Sequence, residues 1–409
     1  MLDSILVAAS GLNGHQKGLK VISSNVANMN TPGYKGSNTQ FTDVFLQEAG
    51  DAPGQNLTAG GGIDLMPSTI NFAGGEIRST GRDMDMALNG PGFFVVRNAQ
   101  GQQLYTKAGR FEFNAEGTLV TMDSGERVLA ASGSSAEGLQ PVSIGHLLNS
   151  AFQSTNSVVF NGNLSSTAGS ATTTGPEHTI DGITIYDSMG TAHNVKVTFT
   201  VKRDTPAGST TPVLVPGTWQ VNVLEGTKSL GSGEFKFSGG LPDPLNDRFT
   251  VMLAGFDGRS VPVTFSLSPR ATSFSSGDKS DLVKESANGN SQGRVSKTSI
   301  NEKGEVVITY TNGKTATGPR LAVAEFVNLD QLSRASGAQF EYTGTEPVRL
   351  VELGKSTSLA AGSLELSNTD LTDQFSNMIL IQRGFQASSQ VLSTASDMIQ
   401  SLFDIKSRR

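Results

Sequence analysis

Residues 371–402 read LTDQFSNMILIQRGFQASSQVLSTASDMIQSL, and this stretch decides the fold. Leu371, Met378, Phe385, Leu392 and Ile399 recur every seventh position, and Ile381, Ala395 and Leu402 fall between them. That spacing keeps one apolar stripe along a helix. The other end of the chain does the same, with Leu2, Ile5, Ala9, Leu12, Leu19 and Val26 close to a seven-residue repeat. Each predicted helix also carries apolar residues off its stripe: Leu6, Val7, Val21 and Ile22 at the start, and Phe375, Ile379, Leu380, Val391, Met398 and Phe403 at the end. Charges are sparse beside both stripes, where a two-stranded coiled coil in water would place them. Two helices with apolar residues on more than one face predict a pair that closes on itself and then completes its burial against further copies of the chain.

Working inward, residues 3–29 form the first predicted helix, with Asp3 or Ser4 as its N-cap. It stops at Asn30-Thr31-Pro32-Gly33, because Pro32 disfavours helical geometry at Thr31 and Gly33 permits a turn. Residues 49–62 (AGDAPGQNLTAGGG) read as a spacer loop. From about residue 68 the period changes to two, with strands predicted at 69–72, 84–88, 93–97, 103–106, 110–114, 118–121 and 128–131. A second β-rich block has its clearest strands at 179–186, 193–202, 218–224, 248–254 and 261–267. A polar stretch at 285–294 reads as a boundary, after which strands resume from 295 to 353.

Helix, β-block, inserted β-block, β-block and helix read as nested shells, since the termini of compact domains tend to lie close together. The expected architecture is mainly β with a terminal helical pair. Residues 1–32 with 366–409 make a helical inner domain, and 33–67 with 355–365 an extended connecting segment. Residues 68–145 with 287–354 make a β-rich middle domain, and 146–286 an inserted β-rich outer domain.

At 409 residues the chain is longer than one ordinary core supports, and its net charge of −6 argues against a nucleic-acid binder. Charged residues are 17%, and the 47 glycines suit turn-rich β-domains. The absence of cysteine excludes disulfides, thiolate catalysis and Cys-ligated metals. The first residues carry no basic n-region, so a cleaved signal peptide is not expected, and the apolar runs are far shorter than a membrane span.

No catalytic constellation emerges. His15, His146, His178 and His193 lack metal-ligand spacing, so no cofactor or metal is expected. Asp83 and Asp85 could pair across a glycosidic bond, but an i, i+2 pair on a strand reads more simply as a solvated face. Trp219, the single tryptophan, reads as a core residue of the inserted block. Gly60-Gly61-Gly62 lacks the lysine and following helix of a phosphate loop.

The flanking motifs supply a resemblance. Ser23-Ser24-Asn25-Val26-Ala27-Asn28-Met29-Asn30-Thr31-Pro32-Gly33-Tyr34-Lys35 resembles the N-[ILV]-A-N then T-x-G-[FY]-K signature of bacterial flagellar rod and hook proteins. Gly90-Pro91-Gly92-Phe93-Phe94 and Thr106-Lys107-Ala108-Gly109-Arg110-Phe111 are similar to the same family, as are Ser367-Asn368-Thr369-Asp370 and Gln382-Arg383-Gly384-Phe385 near the end. The motifs cover about 1–130 and 345–409. The large middle block matches the hook-forming members of the family; distal rod proteins are shorter, and filament-end junction proteins are generally longer.

The resemblance implies a curved helical tube that passes torque from rod to filament as a universal joint, and an extracellular subunit exported by the flagellar type III apparatus. Implied partners are further copies of the chain, the distal rod, the hook cap and the hook–filament junction protein. A non-enzymatic role follows. A carbohydrate-active inserted domain on an axial scaffold would need a carboxylate cleft or metal triad that the sequence does not show. The closing motif departs from the family pattern at Gly384, which either admits a neighbouring helix closely or softens the helix.

Overall fold

The computed structural model describes residues 2–43, 62–66, 68–131, 138–166, 177–205, 213–254, 259–277 and 279–407. Most of the spacer at 49–62, together with Val44 and Phe45, therefore lies outside the described residues. The described chain is mainly β, with one long helix at each end: α1, Leu2–Ala27, and α2, Leu371–Ser407. Asp370 caps α2, its Oδ1 accepting from the backbone N–H of Thr372 (2.7 Å) and Asp373 (3.2 Å). Those bonds hold its carboxyl below the usual range, as an N-cap carboxylate should behave.

The chain divides into two compact units: 1–146 with 298–308 and 316–409, and 147–297 with 309–315. The first unit contains both helices and a ten-stranded sheet. Its main path runs 332–336, 339–342, 103–106, 93–97, 127–130, 119–121 and 111–113. Phe93, Val95, Tyr105, Leu129, Phe340 and their neighbours form the buried core on this sheet. Phe93 meets Phe72, Phe326 and Phe340 edge to face, with centroids 5.6–6.0 Å apart. Two short ladders, Met86–Asn89 with Ser358–Ala361 and Ile77–Ser79 with Ser363–Glu365, lead the chain back to α2.

The second unit is built from a five-stranded antiparallel sheet (177–186, 192–204, 213–225, 228–238, 241–242) and a four-stranded sheet (248–254, 260–267, 157–161, 283–287). Inward-facing residues of both form one core that includes Trp219, 1% exposed. Phe199, Phe235, Phe249, Phe265 and Phe160 follow one another through it at centroid distances of 5.2–6.3 Å. The stretch read as a boundary at 285–294 begins inside a strand, Val283–Ala287.

The strand Lys228–Ser238 is not among the clearest strands read from the sequence, since Gly231 and Gly233 break its apolar alternation. In the structure both glycines are roofed by facing side chains: an added Cβ would lie 2.8 Å from Val251 and 2.1 Å from Phe249. One reading needs correction, that of Asp83 and Asp85 as one solvated face. Asp83 is exposed, but Asp85 is buried, accepts from the Thr80 hydroxyl at 2.7 Å and lies 3.7 Å from the Arg82 guanidinium.

Candidate functional site

The two helices pack antiparallel. Gly11 faces Ser388, Gly18 faces Ile381, and Asn25 reaches Gln374, so each step of seven along α1 matches a step of seven back along α2. The buried face of α1 is Ala8, Gly11, Gly14, Gly18, Ile22 and Asn25. It is a small-residue seam, displaced from the expected Ile5, Leu12, Leu19 and Val26 stripe, whose members are only half-buried. Small side chains let two helix backbones approach closely, and the large apolar residues are then pushed to the flanks.

On α2 the seam is Gln374, Met378, Ile381, Gly384, Ser388, Leu392, Ala395 and Ile399, of which Ile381 and Ala395 are fully buried. Leu371, Phe375 and Phe385 turn outward, 38%, 48% and 44% exposed. The side chains of Leu2 and Leu402 lie outside the described residues. Leu6, Ile379, Leu380, Val391, Met398 and Phe403 are about half exposed or more, and all but Phe403 and Leu380 lie between 49% and 52%. Beside the seam an open groove of about 390 Å³ is lined by His15, Gln16, Leu19, Ile381, Gln382, Phe385 and Gln386.

Gly384 has a clear place. A Cβ there would stand 2.5 Å from the His15 ring, so the glycine admits the imidazole of the facing helix. His15 in turn meets the Phe41 ring at 5.4 Å. The strand Ile63–Leu65, paired with Phe41–Asp43, lies along α1, where Lys17 bonds Asp64 at 3.1 Å and the Ile63 N–H donates to Ser10 Oγ.

Where α1 ends, the motif residues build an anchor. Asn25 is 2% exposed and uses both ends of its amide: Nδ2 donates to the Ser37 carbonyl (2.8 Å) and to Gln374 Oε1 (2.9 Å), while Oδ1 accepts from the Ser37 N–H (3.0 Å). Ala27 is exposed. Asn28 donates to the Ser24 carbonyl and its Oδ1 accepts from the Thr31 hydroxyl, which closes the helix end. Gly33 sits at φ +69°, and its N–H donates to the Glu365 carbonyl at 2.7 Å. Tyr34 is buried under the Arg334 guanidinium, 4.4 Å from its ring centroid.

Lys35 and Glu365 are functional candidates that the sequence pattern did not single out as a pair. Lys35 Nζ lies 2.5 Å from Glu365 Oε1 and donates to the Ala73 carbonyl, with side chains 0% and 2% exposed. Glu365 Oε1 also accepts from the Gly75 N–H, and Arg334 donates to the Lys35 carbonyl. Asn368 completes the anchor, accepting from the Gly36 N–H and donating to the Asn71 and Ala73 carbonyls.

The second motif group supports this from the sheet. Gly90 (φ +131°) accepts from Lys107 Nζ at 2.6 Å, and the Gly92 N–H donates to Thr357 Oγ1 at 3.0 Å. Phe93 and Phe94 are buried behind them. Gln382 and Arg383 lie exposed on α2, outside the anchor. Among the described residues no group of three or more His, Asp or Glu side chains is placed to hold a metal ion.

Three family models match the chain: a flagella basal body rod protein model over residues 5–35, a flagellar hook protein FlgE/F/G D1 domain model over 87–197, and a flagellar basal body rod FlgEFG protein C-terminal model over 360–405. Flagellar hook protein FlgE of Escherichia coli is 28% identical, with 98% of this chain and 99% of that protein aligned. The Treponema pallidum hook protein is 27% identical over 99% of this chain and all of its own length. In fold the chain is similar to the crystal structure of Helicobacter pylori flagellar hook protein FlgE2, with a TM-score of 0.50 and 15% identity over 70% of this chain and the whole of that one. The first and last models fall on the two ends that the packed helices and their anchor occupy, and the chain is similar to flagellar rod and hook proteins over nearly its whole length.

Proposed function

We propose that this chain is the structural subunit of the flagellar hook, a self-assembling curved tube that passes torque from rod to filament. The observation that carries this reading is the end-to-end alignment with hook proteins, which includes the central β-rich block as well as the helical ends. The exposed apolar flanks of α1 and α2 favour the same role. Leu6, Phe375, Leu380 and Phe403 keep about half or more of their surface exposed among the described residues, and neighbouring copies supply the cover.

In this reading the terminal helices, residues 1–32 and 366–409, line an inner tube, and 33–67 with 355–365 connect them to the middle domain at 68–145 and 287–354. The inserted domain at 146–286 forms the outer layer, where polar, low-charge surfaces exchange partners at small cost as the tube bends. The role is mechanical, and no step of chemistry is assigned to the chain. It works outside the cell after export by the flagellar type III apparatus. Its partners are its own copies, the distal rod, the hook cap and the hook–filament junction protein.

Electron microscopy of a strain lacking the gene tests this. Loss of the curved segment with the rod retained is the expected result. A missing rod, or a hook of normal form, overturns it.

A further inference from the structure

We infer that His15 is a proton-sensitive joint between the terminal helices, which must be neutral for α1 and α2 to close, so that acid loosens the pair and the polymer built on it. The last step rests on the proposed assembly role; the joint itself rests on geometry. His15 is half-buried at the edge of the seam, beside the open groove, with its ring filling the gap that Gly384 leaves and touching Phe41 on the other side. Its Nδ1 is buried without a hydrogen-bond partner among the described residues. A neutral imidazole can leave that nitrogen as a bare acceptor, whereas an imidazolium carries a proton on both nitrogens and must bury an N–H with nothing to receive it.

Among the described residues no carboxylate is positioned to compensate. On α2 the groups near the ring are Gly384, Ile381 and the uncharged Gln382 and Gln386, and the charged neighbour in sequence, Arg383, would repel the cation. On the strands beside α1 the acidic groups are Asp64, which is held by Lys17, and Asp43, whose side chain lies outside the described residues. On α1 itself the nearest charges are Lys17 and Lys20. Burial alone lowers the His15 pKa from the ordinary 6.5. The folded value is thus below the unfolded one. The contribution to stability is complete above about pH 6.5 and is lost as pH falls from there through the folded value.

The test uses the full chain, in monomeric and polymerised form, as wild type and as His15→Gln, which keeps a polar side chain of similar reach but no titration. The wild-type monomer concentration in equilibrium with polymer should rise by about threefold or more from about pH 8 to about pH 5, and stay level in the variant. An equal rise in both overturns the proposal. Should the variant fail to assemble, the His15 ring-proton titration in the wild-type monomer decides. A midpoint below that of free histidine, together with parallel loss of helix signal, supports the joint; a normal or raised midpoint overturns it. The deletion strain tests the hook assignment separately, so a proton-insensitive joint leaves that assignment standing.

Discussion

Lys35 Nζ lies 2.5 Å from Glu365 Oε1, joining the residue eight places beyond α1 to one six places before α2 with both side chains out of solvent. The pair ties the two ends of the helical hairpin to the sheet through the Gly33 N–H, the Gly75 N–H and the Ala73 carbonyl. Glu365 Oε2 has no hydrogen-bond partner among the described residues, so the lysine and one backbone N–H carry the compensation for its charge.

Breaking this pair from one side leaves a buried charge uncompensated. Lys35→Met should therefore destabilise the first unit by about 3–5 kcal/mol. Lys35→Met with Glu365→Leu should recover much of that loss, because two apolar groups leave no stranded charge. Urea unfolding followed by helix circular dichroism reads the effect. Trp219, which is buried in the second unit and donates to Ser273 Oγ at 3.2 Å, provides a control whose fluorescence midpoint should hold. A double variant as unstable as the single one would show that the pair acts through something other than its charge.

The helix seam can be tested by a cycle. Gly384→Ala should gain about 1 kcal/mol of helix propensity but meet the His15 ring, with overpacking of about 1–3 kcal/mol. The net effect in the wild type is neutral to destabilising. In a His15→Ala background the obstruction is gone, and the same substitution should be stabilising by up to about 1 kcal/mol. Equal effects in both backgrounds would mean the two residues are not coupled.

How much of this was legible beforehand depended on what each feature leaves in the sequence. The helices were visible because apolar residues recur every seventh position over long stretches. Their seam was not. Gly11, Gly18, Ser388 and Gly384 carry no hydrophobic signal, and most of the large residues that do carry it lie at the flanks. The Lys228–Ser238 strand was hidden for a similar reason, since Gly231 and Gly233 borrow their apolar cover from Val251 and Phe249. The motif residues marked the region of the anchor. Nothing local, however, pairs Lys35 with a glutamate 330 residues away.

Lys107 gives the first unit a signature in alkali. Burial, offset by Glu365 and reinforced by Lys35, lowers its pKa from 10.5 to about 8. The unfolded chain holds that proton to higher pH than the folded one, so stability should rise as pH increases from about 8 towards 10. Tyr105 opposes this only later: burial raises its pKa from 10.0 to about 12, which favours unfolding once the unfolded tyrosine ionises. Urea midpoints at several pH values should show the rise in wild type and its absence in Lys107→Met. A rise that survives the substitution would assign it to another group.

Gly33 and Gly81 separate two reasons for glycine. Both lie in the left-handed region, at φ +69° and +72°. At Gly81 an added Cβ meets nothing within 4 Å, so Gly81→Ala should cost only the backbone term, about 1–2 kcal/mol. At Gly33 the same atom would lie 2.3 Å from the Ala108 nitrogen and 2.7 Å from its Cα. Those are backbone atoms of the segment that carries Lys107, and they cannot rotate aside. Gly33→Ala should therefore add about 1–3 kcal/mol of overpacking to the backbone term. It should also loosen the anchor, because the Gly33 N–H to Glu365 carbonyl bond cannot hold if the turn retreats. Thermal unfolding of the two variants side by side reads the difference. Equal losses would mean that the close approach to Ala108 relaxes freely and that the turn needs glycine for its φ alone.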